Sequence, residues 1–294
     1  MNNMKKSDNE KIRALIRLAV DEDLGKGDLT SQITLKPGIT AKADIITREE
    51  IVVCGMDVVR EVLNLYDKKL KLRILIGDSK RANVAGRLGT IEGPLASMLT
   101  AERVVLNFLQ RLSGIATLTR KYVNAIRGTK AKIYDTRKTT PGWRELEKYA
   151  VRCGGGYNHR MRLDDGILIK DNHIAELGRN FYPKLRRIIE KAKSFKGLKF
   201  VAVEVDHVDD QLDHVLKIPG IDVILLDNMG QWQLKHAVEI RNKICGKKPL
   251  LEASGNITLN NVTAVAQCGV DRIAVGALTH SAIAVDIGLD RPDA

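Results

Sequence analysis

With 294 residues, 44% of them hydrophobic, the chain has enough apolar material for one large α/β domain or for a barrel with a smaller second domain. The net charge of +12 favours anionic partners. Aromatic residues make up only 4% and are not interleaved with lysine and arginine, so we expect no nucleic-acid partner. The cysteines are far apart without a CxxC pair, which argues against a disulfide framework and favours a reducing, cytoplasmic setting.

Neither a targeting segment nor a membrane segment is predicted. The N-terminal residues MNNMKKSDNEK lack the apolar core of a signal peptide. No run of about 18 apolar residues occurs in the sequence, so we expect no membrane partner.

The first part of the chain predicts a small α/β sandwich. Residues 7–24 repeat apolar side chains near the helical period of 3.6. Residues 44–93 alternate short β-prone runs with turns, which predicts an antiparallel sheet with a helix over 56–66 packed on it.

A long, largely buried helix is predicted after this sheet. Pro94 suits a helix start, and apolar residues recur at helical spacing over 95–112. We expect a break at Ser113 and Gly114, followed by a second helix. Arg103 lies inside the apolar stretch, where a charge is costly unless it is paired. An internal ion pair and an arginine delivered to a binding site both remain open for Arg103.

From residue 131 onward, strand-like and helix-like runs alternate. The strand-like runs are AKIYD, ILIK, KFVAVEV, DVILLD, PLLEAS and DRIAVG. This repetition predicts a parallel sheet built from about six βα units, as in a barrel. We therefore predict an α/β fold with an N-terminal domain over 1–113, a barrel over 114–276, and a C-terminal segment over 277–294 that returns to the first domain.

Cationic side chains concentrate in short loops around the first two barrel strands. Arg137 and Lys138 follow the first strand, Arg160 precedes the second, and Lys170 follows the second. Loops held by rigid elements commonly carry binding groups, so these residues predict a pocket for a small, multiply charged anion. Charges in the run 143–153 are better explained as a solvated helix face with i,i+4 pairs.

Two carboxylates, Glu204 and Asp227, each close a strongly apolar predicted strand. Carboxylates at the ends of successive barrel strands suit Mg²⁺, which takes oxygen ligands and often shares them with substrate phosphates. Alternatively, each carboxylate caps a helix or pairs with a lysine. Asp227 in particular precedes a helix predicted from Gly230. The spacing leaves these alternatives open.

Glycine-bearing turns follow the last two predicted strands, SGN at 254–256 and VGAL at 275–278. Backbone N–H groups in such turns commonly bind phosphate in barrels. The sequence contains no GxSxG, P-loop or HExxH motif. A Schiff-base lysine at Lys138 or Lys170 stays an alternative, because barrel aldolases place one at a strand end.

A central block of the chain reads DTRKTTPGWRELEKYAVRCGGGYNHRMRLDDGILIKDNH; EDLGKGDLTS precedes it, and LLDNM, LEASGNIT and VGALTHSA follow it. These motifs, in order through nearly the whole chain, resemble the quinolinate phosphoribosyltransferase family. The resemblance implies a type II phosphoribosyltransferase fold, an N-terminal α/β sandwich followed by an open α/β barrel. It also implies a homodimer whose active sites take residues from both chains.

The reaction implied by the resemblance joins quinolinate to 5-phosphoribosyl-1-pyrophosphate with Mg²⁺ as cofactor. It yields nicotinate mononucleotide, pyrophosphate and carbon dioxide in de novo NAD synthesis. Residues that match the quinolinate site are Arg103 from the partner chain, Thr136, Arg137, Lys138, His159, Arg160 and Lys170. Residues that match the ribose and Mg²⁺ carboxylates are Glu204 and Asp227, which with Lys138 form the implied catalytic group. Residues that match the 5′-phosphate pocket are Ser254, Gly255, Asn256, Val275, Gly276, Ala277 and His280.

Three other functions are compatible with parts of the pattern. They are a phosphoribosyltransferase for another heterocyclic acid, a Schiff-base lyase, and a basic nucleic-acid-binding protein. Turnover of nicotinate in place of quinolinate, borohydride trapping, and salt-dependent DNA binding without turnover would distinguish them in that order.

Overall fold

The computed structural model describes residues 6–178, 181–192 and 194–291. Within them the strands are, in chain order, β1 (Thr40–Thr47), β2 (Ile51–Val52), β3 (Lys71–Ile74), β4 (Arg81–Ala82), β5 (Arg87–Pro94), β6 (Lys132–Tyr134), β7 (Ile167–Ile169), β8 (Val201–Val205), β9 (Val223–Asp227), β10 (Leu250–Ser254), β11 (Arg272–Ala274) and β12 (Ile287–Asp290). The helices are α1 (Lys6–Leu24), α2 (Leu29–Thr34), α3 (Met56–Tyr66), α4 (Leu95–Ala125), α5 (Arg144–Cys153), α6 (Asp171–Ala175), α7 (Phe181–Ala192), α8 (Asp213–Leu216), α9 (Gln231–Cys245), α10 (Val262–Gln267) and α11 (Ala277–His280), with a π-helical turn at Val208–Leu212.

The chain divides into two units. The sandwich unit consists of Met1–Arg120, Thr139–Gly155 and Leu278–Ala294, and the barrel unit of Lys121–Lys138 and Gly156–Ala277. The boundaries predicted from the sequence lie after residues 113 and 276. In the structure, the chain passes between units after residues 120, 138, 155 and 277.

The sandwich unit contains an antiparallel sheet in the order β12-β1-β5-β3, and β2 pairs separately with β4. Ile45 of β1 and Leu88 of β5 are fully buried. The helix α3 buries Val59, Val62 and Leu63. The antiparallel sheet and the helix over 56–66 that the sequence predicts are confirmed, because alternating and helical apolar periods each produce one buried face.

Strand β12 shows how the C-terminal segment joins the sandwich unit. It pairs antiparallel with β1, with Asp44 opposite Asp290 and Thr47 opposite Ile287. Arg48 Nη2 also lies 2.7 Å from Asp290 Oδ1. The last strand of the chain therefore completes the sheet that the first strand begins.

The helix α4 is continuous from Leu95 to Ala125, so the predicted break at Ser113 and Gly114 is wrong. Ser113 accepts a hydrogen bond from the Cys54 backbone N–H at 3.0 Å, and its hydroxyl donates to the Cys54 carbonyl. A Cβ on Gly114 would lie 2.1 Å from the Ile283 carbonyl oxygen, so glycine here permits close approach of another segment. Despite the length of α4, no described helix is long and apolar enough to cross a membrane.

The barrel unit contains a parallel sheet in the order β6-β11-β10-β9-β8-β7. Successive strands from β7 to β11 are neighbours, and β6 joins the far side of β11, as the predicted series of βα units requires. The sheet is open between β6 and β7. Tyr157 forms a single parallel bridge to Tyr134 at the β6 edge. The fold is therefore an α/β sandwich followed by an open α/β barrel, as the sequence predicts.

Candidate active site

The carboxyl ends of the six parallel strands carry most of the residues that the sequence singles out. Parallel strands end at the same edge of a sheet, and side chains at such an edge form the functional face of a barrel. The predicted residues at this edge of the barrel unit are Thr136, Arg137, Lys138, Lys170, Glu204, Asp227, Ser254, Gly255, Asn256, Val275, Gly276 and Ala277.

Two arginines of the barrel unit, Arg137 and Arg160, interact electrostatically. Arg160 is buried, and its Nη1 donates to the Gly166 carbonyl oxygen at 2.9 Å. Burial and the positive charge of Arg137 both lower the pKa of Arg160, while Asp165 opposes that shift. Holding two like charges close together is unfavourable without a counter-ion. The pair therefore forms a candidate anion site.

The loop that carries Arg160 is held by two carboxylates, one of them buried. Asp135, at the end of β6, is fully buried and accepts from Asn158 Nδ2 at 2.5 Å and from the His159 backbone N–H at 2.8 Å. Asp165 accepts from the Met161 backbone N–H at 2.9 Å. These bonds hold both ends of the loop, so Arg160 starts from an ordered backbone and loses little entropy on binding.

His159 lies within this loop but directs its ring toward protein groups. Its Nδ1 accepts from the Arg160 backbone N–H at 2.8 Å, and its Nε2 lies 3.4 Å from Glu252 Oε1. The residue is only 7% exposed. The predicted contact of His159 with a substrate stays untested, and the structure favours a role in orienting its neighbours.

Two lysines lie beside the carboxyl ends of the same strands. Lys138, which follows β6, and Lys170, which follows β7, are both exposed. The Lys138 backbone N–H donates to Thr136 Oγ1 at 3.1 Å, which forms a tight turn after β6. The Lys170 backbone N–H donates to His173 Nδ1 at 3.0 Å, and α6 begins at the next residue. Both lysines are thus exposed residues on ordered backbone, and the charge of Lys170 acts on Glu204.

Four carboxylates cluster at the ends of β7, β8 and β9. Burial raises the pKa of Glu204; the charges of Asp227 and Asp171 act in the same direction, against Lys170 and the Asp171 backbone N–H. Burial, Asp171 and Asp227 likewise raise the pKa of Asp206. Mutual repulsion among these groups is relieved by a cation, and an all-oxygen donor set suits Mg²⁺.

Asp227 is not the N-cap of the helix that follows it, so that alternative is wrong. The helix α9 begins at Gln231, and the Gly230 backbone N–H donates to Gln233 Oε1 at 2.9 Å. The Asp227 carboxylate accepts from Asn228 Nδ2 at 2.7 Å. Its oxygens therefore remain at the strand end beside Glu204.

The turns after β9 and β10 are in direct contact with each other. Asn228, Gly255 and Asn256 have φ values of 53°, 92° and 51°. The Asn228 backbone N–H donates to the Ser254 carbonyl at 2.9 Å, and a Cβ on Gly255 would lie 2.1 Å from Asn228 Oδ1. Only glycine fits at 255 without displacing Asn228. This close approach shapes the predicted phosphate turn.

The remaining predicted residues divide between the two units. In the barrel unit the Val275 backbone N–H donates to the Tyr134 carbonyl at 2.8 Å, which places Gly276 and Ala277 directly after β11. In the sandwich unit Arg103 is exposed on α4, and His280 Nδ1 lies 2.7 Å from Ser281 Oγ. The site assignments for Arg103 and His280 stay predictions.

Sequence reasoning did not assign a role to Asp171, Asp206, Asn228, Glu252 or Arg272. Asp171, Asp206, Asn228 and Glu252 follow strand ends or lie near them, and this position could have identified them as candidate site residues. Arg272 was detectable only as a charge in an apolar strand. Its guanidinium lies 3.8 Å from the ring centre of Tyr134 and is nearly buried.

An α/β sandwich joined to an open barrel, with paired arginines, clustered carboxylates and tight glycine turns at the strand ends, defines the phosphoribosyltransferase class with this two-unit fold. The model of the quinolinate phosphoribosyl transferase N-terminal domain matches residues 28–113, and that of the C-terminal domain matches residues 115–290. The chain belongs to the quinolinate phosphoribosyltransferase family.

Individual relatives support this membership over nearly the full length. The nicotinate-nucleotide pyrophosphorylase [carboxylating] of Mycobacterium leprae is 44% identical over 281 residues, 95% of this chain and 96% of the relative. The solved nicotinate-nucleotide pyrophosphorylase of Francisella tularensis has a TM-score of 0.86 and 40% identity, with 96% of each chain covered. That of Ehrlichia chaffeensis has a TM-score of 0.86 and 40% identity, covering 98% of this chain and 99% of its own.

Proposed function

We propose that this chain transfers the phosphoribosyl group of 5-phosphoribosyl-1-pyrophosphate to quinolinate with decarboxylation. The products are nicotinate mononucleotide, pyrophosphate and carbon dioxide, a step of de novo NAD synthesis. The observation that carries the proposal is the Arg137–Arg160 pair at the strand ends of a chain of this family. Planar guanidinium groups bind carboxylates in bidentate fashion, which suits an acid with two of them.

The direct test incubates the full chain with quinolinate, phosphoribosyl pyrophosphate and Mg²⁺ and follows nicotinate mononucleotide. We expect turnover with quinolinate and little with nicotinate, which lacks one carboxylate for the arginine pair. Equal or faster turnover of nicotinate would contradict the proposed substrate. Covalent trapping of a carbonyl substrate by borohydride would instead support the Schiff-base alternative.

The cations orient the acid. Arg137 and Arg160 bind its carboxylates, and Lys170 adds a third positive group. Lys138 contacts both the acid and the pyrophosphate side. The pyridine nitrogen is itself the nucleophile, so no protein side chain needs to attack. The contribution of the protein is to align that nitrogen with the ribose C1 carbon.

The carboxylates act on the sugar. Departure of pyrophosphate develops positive charge at C1, and the carboxylates of Glu204 and Asp227 stabilise that charge. The same two residues would hold Mg²⁺, largely through shared substrate oxygens. Bound Mg²⁺ supplies positive charge to the pyrophosphate group. Ser254, Gly255 and Asn256, with Val275, Gly276, Ala277 and His280, bind the 5′-phosphate.

Decarboxylation needs no additional residue in this scheme. Once the ring nitrogen is bonded to the ribose it carries positive charge, which stabilises the electron pair left at C2 as carbon dioxide departs. That electron pair then takes up a proton from solvent water, which gives the C2–H bond of nicotinate mononucleotide. The arginine pair holds the ring in place during this step. The charge for decarboxylation thus comes from the substrate, and the geometry comes from the protein.

The active form is a homodimer in which Arg103 of one protomer completes the site of its partner. Two features support this arrangement: Arg103 is exposed on α4, and the same unit exposes large apolar side chains. Leu29 is 70% and Ile33 is 84% exposed. Exposed apolar groups of this size are common at subunit interfaces. All four cysteines are free thiols, which supports a cytoplasmic location.

A further inference from the structure

An ion pair joins the helices α4 and α5 inside the sandwich unit. Arg111 Nη2 of α4 lies 2.7 Å from Glu147 Oε1 of α5. The sequence pattern predicts a solvated face for the charges of 143–153, and this prediction is wrong for Glu147, which is fully buried. Taking a carboxylate out of water is costly, and a buried ion pair contributes little net stability, so we expect the pair to have another role.

The Glu147 carboxylate holds the loop that follows Lys138. Both donors of Thr140 bind it: the backbone N–H donates to Oε2 at 3.1 Å, and the hydroxyl donates to Oε1 at 2.8 Å. Thr140 lies two residues after Lys138, where the chain has just entered the sandwich unit. Glu147 therefore fixes the backbone from which the segment with Arg137 and Lys138 extends.

The Arg111 guanidinium holds a second segment. Its Nη2 donates to the Thr279 carbonyl at 2.6 Å, and its Nη1 donates to the Ala282 carbonyl at 2.8 Å. These two carbonyls lie on either side of His280, which is predicted to bind the 5′-phosphate. A guanidinium presents its N–H groups in fixed directions within one plane, so it sets the position of both carbonyls relative to Glu147.

We propose that Arg111 and Glu147 are positioning residues of the transferase, which hold the loop after Lys138 and the segment around His280 in a fixed relation to each other. Both held segments belong to the sandwich unit. The inference rests on the proposed function, in which Lys138 contacts the acid and His280 binds the 5′-phosphate of the sugar. A misplacement of about 1 Å between reacting groups costs on the order of 10²-fold in rate, so this relation matters for the transfer step.

Loss of the pair should affect the rate of transfer more than substrate binding. Groups of the barrel unit that bind the two substrates have contacts of their own. Arg160 Nη1 donates to the Gly166 carbonyl at 2.9 Å, and Gly255 packs against Asn228. These groups should still bind both substrates when the ion pair is removed, but the substrates would no longer be aligned.

The test measures kcat and both KM values of the full chain carrying Arg111→Met, well below its melting temperature. We expect kcat to fall about 10- to 100-fold, while the KM values for quinolinate and phosphoribosyl pyrophosphate stay within about threefold of wild type. A wild-type kcat, or a loss confined to KM, would overturn the proposal.

A double variant separates positioning from stability. Removing one partner of a buried pair leaves an uncompensated charge, whereas apolar side chains of similar volume at both positions restore much of the lost stability. The melting temperature of Arg111→Met/Glu147→Met should therefore move back toward wild type. Its kcat should stay low, because the bonds to Thr140, Thr279 and Ala282 are still missing. A kcat that recovers together with the melting temperature would show that the pair only stabilises the fold.

Arg241 provides a matched control, because it also joins a carboxylate to two backbone carbonyls. It is fully buried, lies 2.7 Å from Asp271 Oδ2 and donates to the carbonyls of Lys247 and Pro249. These partners precede β10 and β11, at the amino ends of the strands, where barrels carry residues for stability. Arg241→Met should lower the melting temperature and leave kcat near wild type. A fall in kcat equal to that of Arg111→Met would contradict a specific role of the α4–α5 pair.

Thr140→Val keeps the test decisive if the charge variants do not fold. This change removes only the hydroxyl that donates to Glu147 Oε1, and the ion pair and the backbone bond remain. We expect kcat to fall about three- to tenfold, as the loss of one hydrogen bond implies, with a melting temperature near wild type. An unchanged kcat would count against the proposal.

Amide hydrogen exchange followed by mass spectrometry gives a readout that needs no turnover. In the ligand-free protein, residues 139–143 and 278–284 should exchange faster in Arg111→Met than in wild type, and Arg241→Met should leave both segments unchanged. Equal exchange of these segments in wild type and Arg111→Met would overturn the positioning role. If the wild type failed to convert quinolinate, the proposed function would fall, and the exchange comparison would still decide whether the pair holds the two segments.

Discussion

At the residue scale, the site is built from groups held in unfavourable surroundings. Burial and Arg137 lower the pKa of Arg160, and burial and neighbouring carboxylates raise the pKa of Glu204. Both pKa shifts reflect burial first and nearby like charges second, a combination that is common at functional sites because a ligand of opposite charge relieves it. These residues therefore lower the stability of the ligand-free protein while they contribute to ligand binding.

Replacing Arg137 with alanine should weaken acid binding strongly. A charge-assisted hydrogen-bonded contact contributes roughly 2–3 kcal/mol, so we expect the quinolinate KM of Arg137→Ala to rise about 30- to 150-fold. Steady-state kinetics in both substrates measures this effect. As a control, Arg186→Ala removes an exposed arginine that pairs with Glu190 on α7 and should leave KM unchanged. A wild-type KM in Arg137→Ala would remove this residue from the site.

Replacing Glu204 with glutamine should stabilise the ligand-free protein while abolishing most of its activity. The pKa of Glu204 is raised in the folded state. The protonated side chain therefore contributes to the stability of the fold at a pH below the pKa of the unfolded state, and this contribution is lost as the pH rises through the pKa of the folded state. At neutral pH the ionised carboxylate destabilises the fold, and Glu204→Gln removes that penalty.

Thermal melts across pH check the sign of this prediction. The melting temperature of Glu204→Gln should exceed that of the wild type near neutrality, and the difference should vanish under acidic conditions where both side chains are neutral. Added Mg²⁺ should raise the wild-type melting temperature more than that of the variant. A variant that is less stable than the wild type at neutral pH would contradict the assignment of Glu204 to a repelling cluster.

At the element scale, the βα turns determine how closely backbone can approach a ligand. The turn after β10 needs glycine at 255 because of its positive φ and because Asn228 Oδ1 occupies the space of a Cβ. Elsewhere a glycine allows two elements to pack, as Gly114 of α4 does against Ile283. Local composition signals a turn at both positions, but only the turn at 255 exists, since α4 continues through Gly114.

Gly255→Ala should impair binding of phosphoribosyl pyrophosphate more than binding of quinolinate. The alanine would carry backbone strain of roughly 1–3 kcal/mol at this positive φ. Its Cβ would also displace Asn228 and so disturb the turn. We therefore expect at least about a tenfold rise in the KM for phosphoribosyl pyrophosphate.

The control for this change is Gly246→Ala in the same unit. Gly246 also has a positive φ, 73°, but a Cβ there would meet nothing within 4 Å. The Gly246→Ala variant should have a free energy of unfolding lower by about 1 kcal/mol, and both of its KM values should stay near wild type. Equal kinetic effects from the two alanines would indicate strain alone and not a specific phosphate turn.

At the scale of the whole molecule, the proposed function predicts a site that takes residues from two chains. Arg103 belongs to the sandwich unit, whereas Arg137, Arg160 and Lys170 belong to the barrel unit. If a partner supplies Arg103, Arg103→Ala and Lys170→Ala inactivate different halves of each shared site. Mixed dimers then contain one site with both residues intact.

Mixing the two inactive variants in equal amounts should therefore restore activity. Random reassortment gives half mixed dimers with one of two sites intact, which predicts about one quarter of the wild-type rate. The measurement is turnover after reversible dissociation and reassociation, with each variant treated alone as control. No recovery, despite mixed dimers detected by mass spectrometry, would contradict a shared site.

The sequence by itself determined most of the helices and strands and which polar residues follow the parallel strands. Apolar periods of 2 and 3.6 are local properties, so they predicted the antiparallel sheet, the helix over 56–66 and the six parallel strands without any knowledge of packing. Polar residues directly after those strands followed from the same pattern. The family motifs then assigned them to parts of a phosphoribosyltransferase site.

Only the tertiary structure decided which groups face each other. The close packing at Gly114 of α4 involves Ile283, about 170 residues away in sequence, and the surroundings of His159 include Glu252, which pairs with Arg272 of a neighbouring strand. Such contacts join segments that no local window contains. The physical reason is that a side chain's role depends on the charges and dielectric around it, and the fold creates those surroundings by bringing distant strands into register.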